Sequence, residues 1–216
     1  MDQIDEYEQG ERVRAWLRNN GSALIGGVAL GLAALGGWQW WQGQQDQKLV
    51  DAAAEYQAFS KAVEADDDAK AGAHAASLAQ SFPASPYPVL AALRRAEMLH
   101  GQGKDDEALK LLDGAAAAKA DPVLVELAKL RAARLLAGMG KHEDAIQRLE
   151  ALGDTSFPAV AAEIRGDAEM ALGRRDAARA SYEKALASLD IAAPTRPMVE
   201  MKLTDAGGSP TAQPEI

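Results

Sequence analysis

No charged residue stands between Arg18 and Asp46, and the run from Ser22 to Trp41 inside that gap is almost wholly apolar or small. A helix rises about 1.5 Å per residue, so roughly 20 residues cover the ~30 Å hydrocarbon core of a bilayer. Whatever follows such a run is a domain held at a membrane. All four tryptophans sit at its edges, Trp16 before it and Trp38, Trp40 and Trp41 at its end. On a continuous helix Trp16 and Trp38 fall about 33 Å apart, one for each interface, where amphipathic rings are favoured.

The flanks set the orientation. The N-terminal arm, residues 1–21, carries Arg12, Arg14 and Arg18, whereas the twenty residues after Trp41 carry only Lys48 and Lys61. The positive-inside rule counts Lys and Arg and largely ignores acids, so the arm is expected in the cytoplasm and the long C-terminal part outside it. Two readings of the run compete. Leu24 to Leu35 has the length of a signal-peptide core, with Ala34-Leu35-Gly36 as a small-x-small cleavage site. Against cleavage, Gly36-Gly37-Trp38-Gln39-Trp40-Trp41 extends the apolar run and ends it in an aromatic belt, which favours an uncleaved anchor over residues 22–41. Ala23, Gly27 and Gly31, four residues apart, offer a close-approach face for another membrane helix. Glycine is also simply common in such helices.

The chain has 32 acids against 23 Lys and Arg, a net charge of −9; the arm holds three arginines and five acids, so the rest keeps −7. Phosphate neutralisation needs a basic surface, and no nucleic-acid partner is expected. Absence of cysteine excludes disulfides, thiol catalysis and Cys-ligated metals. Beyond Trp41 there is no tryptophan and little Phe or Tyr, so a core there must be built from Ala and Leu, which suits closely packed helices.

That exported part repeats. Around Gly103, Gly140 and Gly173 the same residue types recur at fixed offsets: Ala96, Ala133 and Gly166 seven before; Ala108, Ala145 and Ala178 five after; Leu112, Leu149 and Tyr182 nine after; Ala115, Leu152 and Ala185 twelve after. The intervals of 37 and 33 residues bracket the 34 of the helix-turn-helix tetratricopeptide repeat. Each glycine suits a left-handed helix cap and is followed by acids that suit the next N-terminus. Asp121-Pro122 and Ser156-Phe157-Pro158 supply the starts of the following pairs. Upstream, a helix from about Lys48 to Ala65, with Leu49, Ala53, Tyr56 and Val63 on one face, and another from Ala69 to Ser81 form a degenerate first unit about the Asp66-Asp67-Asp68 turn. The expected fold is therefore all-α: one transmembrane helix, then a tetratricopeptide α-solenoid over 42–203 with a short cap near Met198 to Leu203. Residues 204–216 have the composition of a disordered tail.

Signals for chemistry are weak. Ser181-Tyr182-Glu183-Lys184 matches an S-x-x-K nucleophile motif without its partner motifs, Gly101-Gln102-Gly103 lacks the third glycine of a dinucleotide loop, and His74, His100 and His142 have no ligand-spaced companions. The Asp66–Asp68 run lacks the spacing of a calcium loop. No enzyme, cofactor or metal is expected. In stacked repeats the first helix of each pair lines the concave side. Counting from the glycines, its outward positions are Leu93, Arg94, Glu97 and His100, then Leu130, Arg131 and Arg134, then Glu163, Asp167 and Met170. These are the candidate protein-binding residues; the competing reading is that the arginines only bridge acids on neighbouring helices.

Anchor and repeats together resemble the YfgM-like family of ancillary subunits of the bacterial SecYEG translocon, from about Trp16 to Leu203. The resemblance rests on Asn20-Gly21-Ser22-Ala23-Leu24, Gly36-Gly37-Trp38-Gln39-Trp40, Leu130-Arg131-Ala132-Ala133-Arg134, Ile164-Arg165-Gly166-Asp167-Ala168 and Ala177-Ala178-Arg179-Ala180-Ser181-Tyr182-Glu183. It implies a bacterial inner-membrane anchor with a periplasmic repeat domain that hands unfolded exported polypeptides from the SecYEG translocon to periplasmic chaperones, notably a membrane-anchored PpiD-type partner. The acidic Pro/Gly tail and the Asp66–Asp68 loop depart from that family. A periplasmic envelope-assembly or cell-division scaffold, released by signal-peptide cleavage, is the alternative.

Overall fold

The computed structural model describes residues 2–209, with side chains from Arg14 onward, and every regular element among them is an α-helix. Arg12 and the arm's acids therefore lie outside the described side chains, and residues 210–216 of the expected tail lie outside the described chain. Two compact units are present, one ending at Asp51 and one starting at Ala52.

Helix α1 runs from Asp2 to Glu64 and supplies the described part of the first unit. Its apolar window has no buried side chain, and Ile25 and Leu30 are 73% and 74% exposed. Such a surface suits an apolar surrounding, where a helix satisfies its own backbone within a single segment. By length and composition this helix can span a membrane. No helix break marks Gln42, where the repeat domain is expected to begin. Segment 42–48 has no proline, and Gln and Lys are good helix formers, so the lone Gly43 costs about 1 kcal/mol without ending the helix.

In the second unit the end of α1 packs on α2 (Asp68–Ser81) and α3 (Tyr87–Gly101). The face expected from the sequence is only partly right: Tyr56 and Val63 pack on the core, but Leu49 is exposed, and Ala52, Phe59 and Ala62 are the buried residues. Phe59 brings the larger apolar surface, and Ala52, Tyr56, Phe59 and Val63 give the 4-3-4 spacing of one helix face. Phe59 meets Ala71, Leu78 and Ala91, with Tyr56 and Tyr87 stacked at 5.2 Å beside it. The turn at Asp66–Asp68 forms as expected. Asp66 takes φ +52°, which aspartate tolerates, and Asp67 caps α2 by accepting the Lys70 N–H at 3.0 Å.

Three helix pairs follow: α3 with α4 (Asp105–Ala116), α5 (Pro122–Gly138) with α6 (His142–Leu152), and α7 (Pro158–Ala171) with α8 (Arg175–Ser188). Gly103, Gly140 and Gly173 adopt φ of +74°, +78° and +75° at the three turns. In each, the following N–H reaches back five residues: Lys104 to Leu99 O, Lys141 to Leu136 O and Arg174 to Glu169 O, all at 2.9 Å. These bonds close the carbonyls that a helix end leaves open. The alanines five residues past each glycine, Ala108, Ala145 and Ala178, are completely buried at the helix crossings. Expanding one of them therefore overfills the crossing: Ala145→Leu is expected to cost about 1 to 3 kcal/mol, and Lys141→Ala in the adjacent turn within about 0.5 kcal/mol. Thermal melts of the full chain in detergent check this, and equal melting temperatures for the two variants would place Ala145 away from the contact.

The stack ends in α9 (Arg196–Asp205). Gly207, 34 residues after Gly173, takes φ +87°, and the Gly208 N–H bonds Leu203 O at 2.9 Å. This is the same turn a fourth time. The stretch read as tail from Thr204 is ordered at its start: Thr204 and Asp205 are helical and Ala206 is buried beside Val199 and Leu203. Glu200 replaces the Ala96, Ala133 or Gly166 of the earlier helices at seven residues before the glycine. A charged residue where the next helix would cross makes α9 a cap, as a repeat stack needs at its end.

Candidate interaction face

The first helices α3, α5 and α7 contact one another in order, and the exposed side chains between them form a strip of charged groups over two hollows. At one end His100 Nδ1 lies 2.6 Å from Asp105. Arg131 stands 3.9 Å from Glu97 and Arg134 3.5 Å from Glu163. Lys202 of α9 closes the other end, its Nζ donating to Glu163 at 2.7 Å and to Asp167 at 2.8 Å. The Tyr182 hydroxyl donates to the other oxygen of Asp167 at 2.9 Å.

The two hollows differ. The first, about 220 Å³, lies between α3 and α5 over Leu93, Leu112 and Leu135, with Glu97, His100, Arg131 and Arg134 around its mouth. The second, about 340 Å³, is bounded by Asp167, Met170, Tyr182 and Lys202. Of the residues proposed from sequence, Leu93, Glu97, His100, Arg131 and Arg134 meet at the first hollow and Asp167 and Met170 at the second, with Glu163 between them. Arg94 is exposed but lines neither. Leu93 and Leu130 do not point outward: both are buried, Leu93 as pocket floor and Leu130 against Ala133, Leu149 and Ile164. Ten residues before the turn glycine is a crossing position in these two repeats, and a leucine gains more there than in water.

Lys202 and Tyr182 were not among the expected face residues. Burial opposes the charge on Lys202, but hydrogen bonds to Asp167 and Glu163 outweigh it and hold its pKa above the ordinary lysine value. Tyr182 is pushed the same way, first by burial and then by the Asp167 charge. The signal for Lys202 was the 34-residue step to Gly207, which places it on a helix equivalent to α7.

The arginine-bridging reading is seen, though loosely: the pairs stand at 3.5–3.9 Å, and ion pairs at a surface contribute about 0–1 kcal/mol. The S-x-x-K string lies within α8, and Ser181 is buried with its hydroxyl donating to Glu169 at 2.6 Å. Arg165 donates to the same carboxylate at 2.8 Å. Among the described residues no three His, Asp or Glu side chains gather as a metal site. In the first unit Ala23, Gly27 and Gly31 have exposed, unobstructed positions, and Trp38, Trp40 and Trp41 are exposed.

Stacked helix pairs joined by glycine turns define a helical-repeat fold. The chain belongs to the tetratricopeptide repeat-like domain family, which matches residues 14–208. It is similar to two proteins named ancillary SecYEG translocon subunit. The one from Haemophilus influenzae is 28% identical over 182 residues, 84% of this chain and 89% of the relative. That from Escherichia coli strain K12 is 29% identical over 204 residues, 93% and 96% of the two chains. Among solved structures, kinesin light chain TPR-like repeats from Podosopora anserina superpose with a TM-score of 0.52 at 16% identity, covering 71% of this chain and 84% of that one. This last likeness concerns the fold alone.

Proposed function

We propose that this chain is a non-enzymatic ancillary subunit of a bacterial Sec translocon. In this reading α1 anchors it in the inner membrane with the N-terminus in the cytoplasm, and the repeat domain (residues 42–203 by sequence) lies in the periplasm. There it scaffolds a membrane-anchored chaperone of PpiD type and helps pass exported polypeptides to it. The observation that carries the reading is that this chain, which joins a membrane-length helix to a repeat domain, is similar along most of its length to relatives that bear the translocon name. The arginine positions give the expected order on the topology, and the strip between α3 and α9 supplies the holding surface.

Membrane extraction with carbonate followed by co-purification in mild detergent tests the association; a chain released by carbonate, or recovered without translocon subunits, sinks it. A mature N-terminus at Gly37 would instead favour the released envelope scaffold. Arg131→Glu with Arg134→Glu is expected to abolish chaperone or polypeptide crosslinks while translocon crosslinks persist, because reversed charges repel what the face held and α1, with Ala23, Gly27 and Gly31, is a separate docking element. Unchanged chaperone crosslinks in a folded double variant would assign these arginines to structure only.

A further inference from the structure

The hollow between α3 and α5 combines two chemistries, an apolar floor and a cationic rim. Its floor is buried leucine: Leu93, Leu112 and Leu135. Over it stand two guanidinium groups one helical turn apart, Arg131 and Arg134, exposed at 44% and 58% of their side chains. At about 220 Å³ the hollow is smaller than small-molecule pockets of roughly 300–1,000 Å³, and it suits a single side chain.

Several other arginines of the domain are engaged closely: Arg95 donates to Asp68 at 3.1 Å, Arg165 to Glu169 at 2.8 Å and Arg196 to Glu200 at 2.9 Å. The two at the hollow are not. Glu97 lies 3.9 Å from Arg131 and is itself 70% exposed, so it can swing aside. Glu163 accepts from Arg134 only at 3.5 Å, through one carboxylate oxygen, while its other oxygen accepts from Lys202 at 2.7 Å. Each planar fork therefore keeps donors turned to solvent, which a carboxylate can fill in bidentate fashion.

We infer that this hollow selects, within the polypeptides the face holds, a segment with one large apolar side chain and a carboxylate two residues away. This rests on the reading of the domain as a polypeptide-holding surface and names what that surface prefers. In an extended segment side chains i and i+2 share one face about 7 Å apart, so the apolar group can fill the leucine floor while the carboxylate meets the arginine rim. The chain's net charge of −9 opposes an acidic ligand from afar, but exposed charges beyond about 8 Å are screened at physiological salt. The arginines in direct reach decide the outcome.

Anisotropy of a short fluorescein-labelled Gly/Ser peptide carrying Phe-Ser-Glu, titrated with the full chain in detergent micelles, tests this. Replacing Glu by Gln in the peptide, or Phe by Ala, is expected to weaken binding about tenfold each. Arg131→Gln with Arg134→Gln should erase the difference between the Glu and Gln peptides, whereas Arg174→Gln, an arginine paired with Glu143 at the turns, should preserve it. Equal binding of the Glu and Gln peptides by the unaltered chain, tighter binding of a Phe-Ser-Lys peptide, or no binding of any of them overturns the inference. Translocon co-purification is read separately: its persistence beside absent selectivity leaves the proposed function standing and removes only this preference.

Discussion

Ala29→Arg is expected to convert the chain from a carbonate-resistant membrane protein to an extractable one. An arginine at the centre of a spanning helix costs about 2.5 to 3.5 kcal/mol on the insertion scale. The strongly apolar residues that offset it are few, namely Leu24, Ile25, Val28, Leu30, Leu32 and Leu35. At about 0.3 to 0.6 kcal/mol each they supply roughly 2 to 3.5 kcal/mol, so a single charge cancels the whole gain. All six are exposed in α1, with no packing inside the first unit to hold them. Ala29→Leu is the control and should anchor at least as well. Retention of the arginine variant in the carbonate pellet would show that something other than this run holds the chain.

Gly166→Val is expected to lower stability by about 3 kcal/mol, the upper part of the range for overpacked cores. A Cβ built on Gly166 falls 2.5 Å from Cε1 of Tyr182 and 2.7 Å from its Cδ1. Tyr182 is 2% exposed and sits among Ala162, Ala178 and Ala185 beside Val199 and Leu203, so the ring has nowhere to retreat. Moving it also breaks the hydroxyl bond to Asp167 and, through that carboxylate, loosens the Lys202 contact with the face. Gly166→Val with Tyr182→Leu should recover part of the loss, because the smaller side chain makes room. Melting of Gly166→Val, Tyr182→Leu and the double variant in detergent checks the pair; additive losses would mean that the two positions do not touch.

The turn glycines and the alanines five residues after them were legible because a turn needs a left-handed residue and a tight crossing needs a small one. Both requirements are local, and they survive in the residue types themselves. The membrane-length run and its tryptophans were legible for the same reason, since length and hydropathy are properties of a contiguous segment. Gly207 carried the same signal at a 34-residue step, yet the Gly/Pro composition around it read as tail.

Tertiary structure alone decided the rest. Phe59 rather than Leu49 entered the core because burial depends on which face α2 and α3 cover, and several faces of an alanine-rich segment are acceptable until a neighbour selects one. Leu93 and Leu130 were drawn inward in the same way. Lys202 joined Glu163 and Asp167 across 39 and 35 residues of sequence because α9 packs back on α8; the 34-residue step to Gly207 marks the helix, but only packing decides which of its side chains reaches α7. Sequence thus determined the elements and their turns, while the interaction face arose from the register in which those elements packed.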